Sequence, residues 1–244
     1  TNMNVILDQT IENATRNFCG FGKKLTLSFY ARSSIQGKKL AINLVQNYGE
    51  NGAVDEQLVG TVFELSPHWK RYEYTFTTNY LAGKSIGEFD NIRVRFWWAW
   101  ASMYASRFNT SAIDETFRGA GTFDIAQVKL EVGGQSTPFV PRNYAQELME
   151  CKRYYNVMFP SGVATTSNIV HCGNNFNVPM RTSPTTTVGS DQRLFVHGLG
   201  VVDGGSITIS ATSTKIDSIS CSGSTLTTGL PFTTVSPIYL NAEI

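Results

Sequence analysis

Hydrophobic and polar residues alternate with a period of two along most of the first half of the chain. In KLTLSFYAR, residues 24–32, Leu25, Leu27, Phe29 and Ala31 fall on one face, and Thr26, Ser28, Tyr30 and Arg32 on the other. KLAINLV repeats the pattern with Leu40, Ile42 and Leu44, and WKRYEYTF with Tyr72, Tyr74 and Phe76. NIRVRFWWAW sets Ile92, Val94, Phe96, Trp98 and Trp100 against Arg93, Arg95 and Trp97. In FDIAQVKLEV the parity shifts between Ile125 and Val128, which predicts a β-bulge near Ala126 and Gln127. Strands of this length between Gly/Asn/Ser turns predict an antiparallel sandwich or jelly roll. No stretch before residue 143 carries a helical period. The alternation lapses over 101–122, so that segment is either a functional loop or a longer strand pair with a frayed tip.

A single helix interrupts the β pattern at the midpoint. Asn143 is a suitable N-cap, Pro141 restricts the entry, and Glu147 and Glu150 precede Lys152 and Arg153 as the helix dipole favours. Tyr144, Leu148, Cys151 and Tyr155 are spaced four, three and four, which makes one stripe. That stripe is either a short bundle seam between chains or the face that packs on a sheet of its own chain. Beyond it, NFNVPMRTSPTTTV, RLFVHG, SITISAT and PIYLNAEI read as strands. In the last of these Ile238, Leu240, Ala242 and Ile244 share a face. A segment of roughly 90 residues is small for a self-sufficient core, so association with further copies is a natural source of burial.

Composition narrows the function classes. Hydrophobic residues make up 41% and charged residues 16%, and 20 basic against 19 acidic residues leave a net charge of +1. A chain so balanced lacks the basic footprint of a non-specific nucleic-acid binder. No apolar run approaches the ~18 to 20 residues that span a membrane as a helix. The abrupt start, without an initiator Met, suggests the C-terminal part of something longer. Cys19, Cys151, Cys172 and Cys221 are too dispersed for a zinc or redox motif and are expected to be buried, reduced thiols. His171 and Cys172, adjacent on a strand, point to opposite faces. The chain contains no G-x-S-x-G, H-E-x-x-H or Gly-rich phosphate loop, and nothing pairs its carboxylates for glycoside hydrolysis. The expectation is a protein that is not an enzyme and has no cofactor.

The run FDIAQVKLEVGGQSTPFVPRNYAQELMECKRYY resembles a recurrent module of bacteriophage tail-fibre and receptor-binding proteins. The matching residues are Ile125, Val128, Leu130, Glu131, Gly133, Thr137, Pro138 and Phe139, followed by Glu147, Leu148, Cys151, Arg153, Tyr154 and Tyr155. LTLSFYAR, WKRYEYTFT, VPMRTSPTTTV and the closing LNAEI are also similar to the family's strands. Departures are Gln135-Ser136, Lys152 and the long segment 101–122. The resemblance implies an all-β chain: a jelly roll like a carbohydrate-binding module over 1–140, a linker and helix over 141–155, and an antiparallel β-sandwich over 156–244. It also implies a homotrimer in which Tyr144, Leu148, Cys151 and Tyr155 meet near a threefold axis. Such a protein belongs to the virion tail. It would be assembled in the host cytoplasm beside other tail proteins and act outside, on a host polysaccharide or lipopolysaccharide. The alternatives are a structural decoration or adaptor of the virion, and a glycan-depolymerising tailspike.

Candidate ligand residues follow from the chemistry of sugars, whose C–H faces stack on rings and whose hydroxyls accept from planar donors. Trp97 with Arg93 and Arg95 on one sheet face, flanked by Tyr104 and Arg107, would supply both. The competing reading places Phe96, Trp98 and Trp100 in the core and leaves the arginines solvated. Asp124 falls where jelly-roll carbohydrate modules often hold a structural calcium, with Glu12 or Asp8 as conceivable co-ligands.

Overall fold

The computed structural model describes residues 4–111, 113–116, 119–191, 193–203, 205–222 and 226–242. Strands take 49% of the chain and helices 9%, in several antiparallel sheets, so the all-β class is met. The chain divides into two compact units, Thr1–Val140 and Pro141–Ile244.

The first unit contains β1 (Val5–Glu12), α1 (Ala14–Phe18), β2 (Lys24–Ser33), β3 (Lys39–Asn47), β4 (Glu56–Glu64), β5 (Lys70–Thr77), β6 (Asn91–Ala99) and β7 (Phe123–Val132). They form a four-stranded sheet in the order β1-β6-β3-β4 and a three-stranded sheet in the order β5-β2-β7. One core lies between the sheets, built from the alternating residues read in the sequence. Leu25, Leu27, Phe29 and Ala31 come from β2, Leu40, Ile42 and Leu44 from β3, and Ile92, Val94, Phe96 and Trp98 from β6. Phe29 is its hub, edge-on to Phe96 at 5.2 Å and stacked on Tyr72 at 5.7 Å. The bulge falls as expected. Ser28 pairs with Lys129 and Tyr30 with Ala126, and Gln127 takes a left-handed φ of 51°.

Three expectations need correction here. A helix does precede residue 143: α1 is held by tertiary bonds in place of an apolar stripe. Thr15 Oγ1 donates to Asn91 O at 2.9 Å, and the buried Asp90 carboxylate accepts from Arg16 N at 2.9 Å and pairs with its guanidinium. At five residues it is too short to show a period. Trp100 does not join Phe96 and Trp98. It packs with Trp97, Ala41 and Phe108 in a second cluster, because the strand ends at Ala99 and the parity ends with it. Segment 101–122 is neither a free loop nor a strand pair with a frayed tip. Ser102–Phe108 forms a 3₁₀ helix, and Glu115 bridges back to Trp100. Buried Lys38 anchors that return, donating to Trp98 O and Thr116 O and lying 3.4 Å from Glu115 Oε1.

The Glu131-to-Thr137 turn in the resembling motif is a latch. Glu131 accepts from Thr137 N at 2.8 Å and Thr137 Oγ1 at 2.6 Å, and pairs with Lys129 at 2.9 Å. The Thr137 hydroxyl first, its amide next and then Lys129 pull the Glu131 carboxyl down to about 2.

The second unit comprises α2 (Tyr144–Lys152), β8 (Tyr155–Met158), β9 (Ser161–Ala164), β10 (Ile169–Asn175), β11 (Thr185–Val188), β12 (Arg193–Val196), β13 (Gly200–Asp203), β14 (Ile207–Ala211), β15 (Lys215–Cys221), β16 (Pro231–Thr234) and β17 (Ile238–Asn241). A seven-stranded sheet, β13-β12-β16-β9-β10-β15-β14, and a three-stranded sheet, β11-β17-β8, share a core that includes Val170, Leu194, Ile219, Phe232, Ile238 and Leu240. Ala242 joins that face, while Glu243 and Ile244 lie outside the described residues. Within NFNVPMRTSPTTTV only the ends are strand. Residues 176–184 carry two prolines and cross between β10 and β11, with Met180 turned into the core. Cys19, Cys172 and Cys221 are buried, and burial pushes the first two thiols up to about 12. Cys151 is exposed, contrary to the expectation of four buried thiols, because α2 buries none of its residues.

Two measurements test this fold. The Glu131 carboxyl is depressed below its unfolded value of ~4.3, so the latch is complete above that pH. It is lost as pH falls toward about 2. Protection of the Thr137 amide, its exchange compared with an unfolded peptide at the same pH, should fall over that window, and in Glu131→Gln it should be low at neutral pH. At Gly60, a Cβ would lie 1.6 Å from Ile42 O of the neighbouring strand. Gly60→Ala should therefore cost about 2–3 kcal/mol in urea unfolding, at the upper end for single substitutions.

Candidate functional site

The outward face of the β1-β6-β3-β4 sheet assembles the ligand residues read from the sequence. On β6 this face carries Arg93, Arg95 and Trp97. They are paired with Thr10, Asp8 and Ile6 on β1 and with Val45, Asn43 and Ala41 on β3. The 3₁₀ helix lies over one end of it. Tyr104 and Phe108, four residues apart, both reach the Trp97 ring at 5.2 Å between centroids. The segment holds that position because Ser102 N donates to Asp114 Oδ1 at 2.5 Å and Asn109 closes it in a left-handed conformation that Asn tolerates.

The five residues are thus together, but Trp97 is no sugar platform. It is 1% exposed, and its Nε1 donates to Asn43 Oδ1 at 2.7 Å inside the sheet. Its outer surface is taken by Tyr104, Phe108 and the guanidinium of Arg107, whose Cζ lies 5.5 Å from the Trp97 ring centre and 5.0 Å from that of Tyr104. Sequence alternation assigned Trp97 to the correct face. It carried no information about the segment that would cover that face.

The arginines hold the rest of the surface. Arg93 pairs with Asp55, which also accepts from Asn47 Nδ2 at 2.6 Å. Arg95, with 15% of its side chain exposed, has Nε 3.3 Å from Asp8 Oδ2, in a geometry that makes no hydrogen bond. The Nε atoms of both Arg93 and Arg95 are buried without a hydrogen-bond partner. Burial lowers the affinity of Arg95 for its proton. Asp8 opposes that shift, and the nearby charges of Arg93 and Arg107 add to it. Glu12 stands further along the same face, opposite Asn91.

Asp124 stands on the other sheet, in β7, where it accepts from Arg32 Nε at 2.8 Å. Its named co-ligands do not join it: Asp8 and Glu12 lie on β1, and Asp8 faces Arg95. Among the described residues no three His, Cys, Asp or Glu side chains converge as a metal site would require.

In the second unit, α2 is capped as expected, with Asn143 Oδ1 accepting from Ala145 N at 2.9 Å. Its stripe does not pack on its own chain: Tyr144 is 76% and Leu148 40% exposed. Tyr155 is not helical. The helix ends at Lys152, and Tyr155 opens β8, stacked 6.5 Å from Tyr239 on β17. A shallow depression of about 540 Å³ on the seven-stranded sheet is lined by Phe195, His197, Asn174 and Thr233, among others. No Asp, Glu, Lys or Arg lines it, and the Asn174 amide oxygen is already engaged by Ser161 N at 2.8 Å.

No protein-family model and no curated protein matches the chain.

Removing the buried indole should unfold the first unit before it tests any ligand. Trp97→Ala leaves the Asn43 amide oxygen without its donor beside a void and should cost about 3–5 kcal/mol in chemical denaturation. A change under 1 kcal/mol would show that the cover over Trp97 is not packed.

Proposed function

We propose that the chain is the distal part of a trimeric bacteriophage tail fibre or related receptor-binding protein. It attaches the virion to a host-surface glycan through multivalent binding without chemistry. In this reading the first unit is a jelly roll akin to a carbohydrate-binding module, and α2 is a collar about a threefold axis. The motif resemblance around residues 125–155 supports it, and one structural observation carries it.

That observation is α2 itself, nine residues long with none buried. Helices shorter than about 12–15 residues are marginal in water on their own. Here the Asn143 cap contributes about 1 kcal/mol and the exposed Arg142–Glu150 pair a few tenths. Neither holds a helix against fraying. The missing stabilisation is supplied if Tyr144, Leu148 and Cys151, with Tyr155 and Val157 on the adjoining β8, are covered by other copies of the chain. Burying Leu148 alone is worth about 1.5–3 kcal/mol per chain.

Light scattering after gel filtration is expected to give three chain masses for the purified protein. Leu148→Asp should give one chain mass with the β signal in circular dichroism retained. Cys151 should resist thiol reagents in the first and react in the second. A wild-type protein of one chain mass at micromolar concentration would remove the collar.

A further inference from the structure

Arg107 differs from its neighbours in what faces it. Arg93 has Asp55 and Arg95 has Asp8, whereas among the described residues Arg107 meets only the rings of Trp97 and Tyr104. A guanidinium carries its donors at the edge of its plane, so a cation seated over rings keeps hydrogen bonds for an anion. Arg95 stands beside it with 15% of its side chain exposed; its Nε is sealed from water next to Asp8, so only its outer nitrogens can meet a ligand. Arg95 and Trp97 are successive outward residues of β6, about 7 Å apart along the strand, and Arg107 sits over Trp97. Two guanidinium groups therefore stand side by side, close enough for the charge of Arg107 to act on Arg95.

We propose that Arg95 and Arg107 together bind the carboxylate of an acidic sugar, with the partly buried Tyr104 ring beside the sugar. This rests on the glycan-attachment reading and names the class of glycan. A carboxylate fits the unused donors. It completes a charge-assisted, forked contact of the kind guanidinium groups make best. The charge on the rest of the face chooses among anions. Asp8, Asp55 and Glu12 share the surface, and the whole chain carries a net charge of +1. A single sugar carboxylate can be taken up by the two guanidinium groups, whereas the phosphates of a duplex would also meet those carboxylates on the same face.

Calorimetric titration of the full chain with oligogalacturonate, oligosialate and hyaluronan fragments tests this, beside neutral maltohexaose and dextran and with inorganic phosphate as competitor. At least one carboxylated oligomer should bind ten-fold or more tighter than the neutral sugars, and more weakly as salt rises. Its affinity should fall at least ten-fold in Arg107→Ala and partly recover in Arg107→Lys, with both variants folded at the temperature of the titration and the β signal in circular dichroism retained. Equal binding to neutral sugars that survives Arg107→Ala would overturn the acidic-sugar site while leaving glycan attachment in place. Phosphate that displaces the uronates at equal concentration would reduce the site to a general anion site and overturn the sugar assignment. A trimer that binds none of the sugars would overturn both this site and the attachment reading.

Discussion

A strand has two faces, and in β6 both carry residues that water does not favour. Ile92, Val94, Phe96 and Trp98 are accounted for by the core between the sheets. Trp97, on the other side, needs a cover that no sheet supplies. A buried indole removes roughly 150–250 Å² from water, worth on the order of 4–6 kcal/mol at ~25 cal/mol/Å². Stacking one sugar on the same ring would return about 0.5–1.5 kcal/mol beyond area. Burial wins by a wide margin, and the 3₁₀ helix Ser102–Phe108 is the piece of chain that achieves it. The arrangement of this surface follows from that covering. Arg107 is carried in on the same turn, set over the rings, and placed beside Arg95.

The second unit has the opposite problem. It has a core, but its strands are short, and a unit of about 100 residues hides only some 60–70% of the surface its unfolded chain exposes. The remainder is visible on Val157, Phe159, Phe195, Val201 and Tyr239, and on the helix stripe. Scattered apolar side chains are ordinary, and those on the unsupported helix and the strand after it are the ones that the trimer proposal covers. The 4-3-4 spacing that sequence assigns to one helix is in fact shared by a helix and a strand. Its members stay exposed in the single chain all the same.

What was legible in the sequence is what depends on local periodicity. The core faces of β2, β3 and β6, the bulge at Gln127 and the Asn143 cap were each readable because neighbours within four residues determine them. The unreadable parts depend on distant residues. Helix α1 exists because Asp90 and Asn91 hold it, more than seventy residues away. The cover on Trp97 comes from a segment whose own sequence has no period. The motif residues Glu131 and Thr137 were visible as a resemblance, but their role as a latch over the turn emerges only from the hydrogen bonds between them. The ring in the candidate site was thus placed on the right face but is buried beneath the 3₁₀ helix, and the arginines around it are engaged by Asp55, Asp8 and the rings.

The two proposals constrain each other through affinity. A charge-assisted contact from Arg95 and Arg107 to one carboxylate is worth about 1.5–3 kcal/mol, and a ring beside the sugar adds about 0.5–1.5 kcal/mol. Their sum is near the ~4 kcal/mol of a millimolar complex. A lone copy with such a site would not hold a particle on a cell. Three copies fixed by one collar raise the effective affinity by about 10²–10⁴ without any new contact, provided the surface repeats its ligand. An acidic polysaccharide does repeat it, with a carboxylate in every repeat unit. In the proposed assembly the exposed stripe on α2 thus serves the arginine site of the first unit by multiplying a contact that is weak alone.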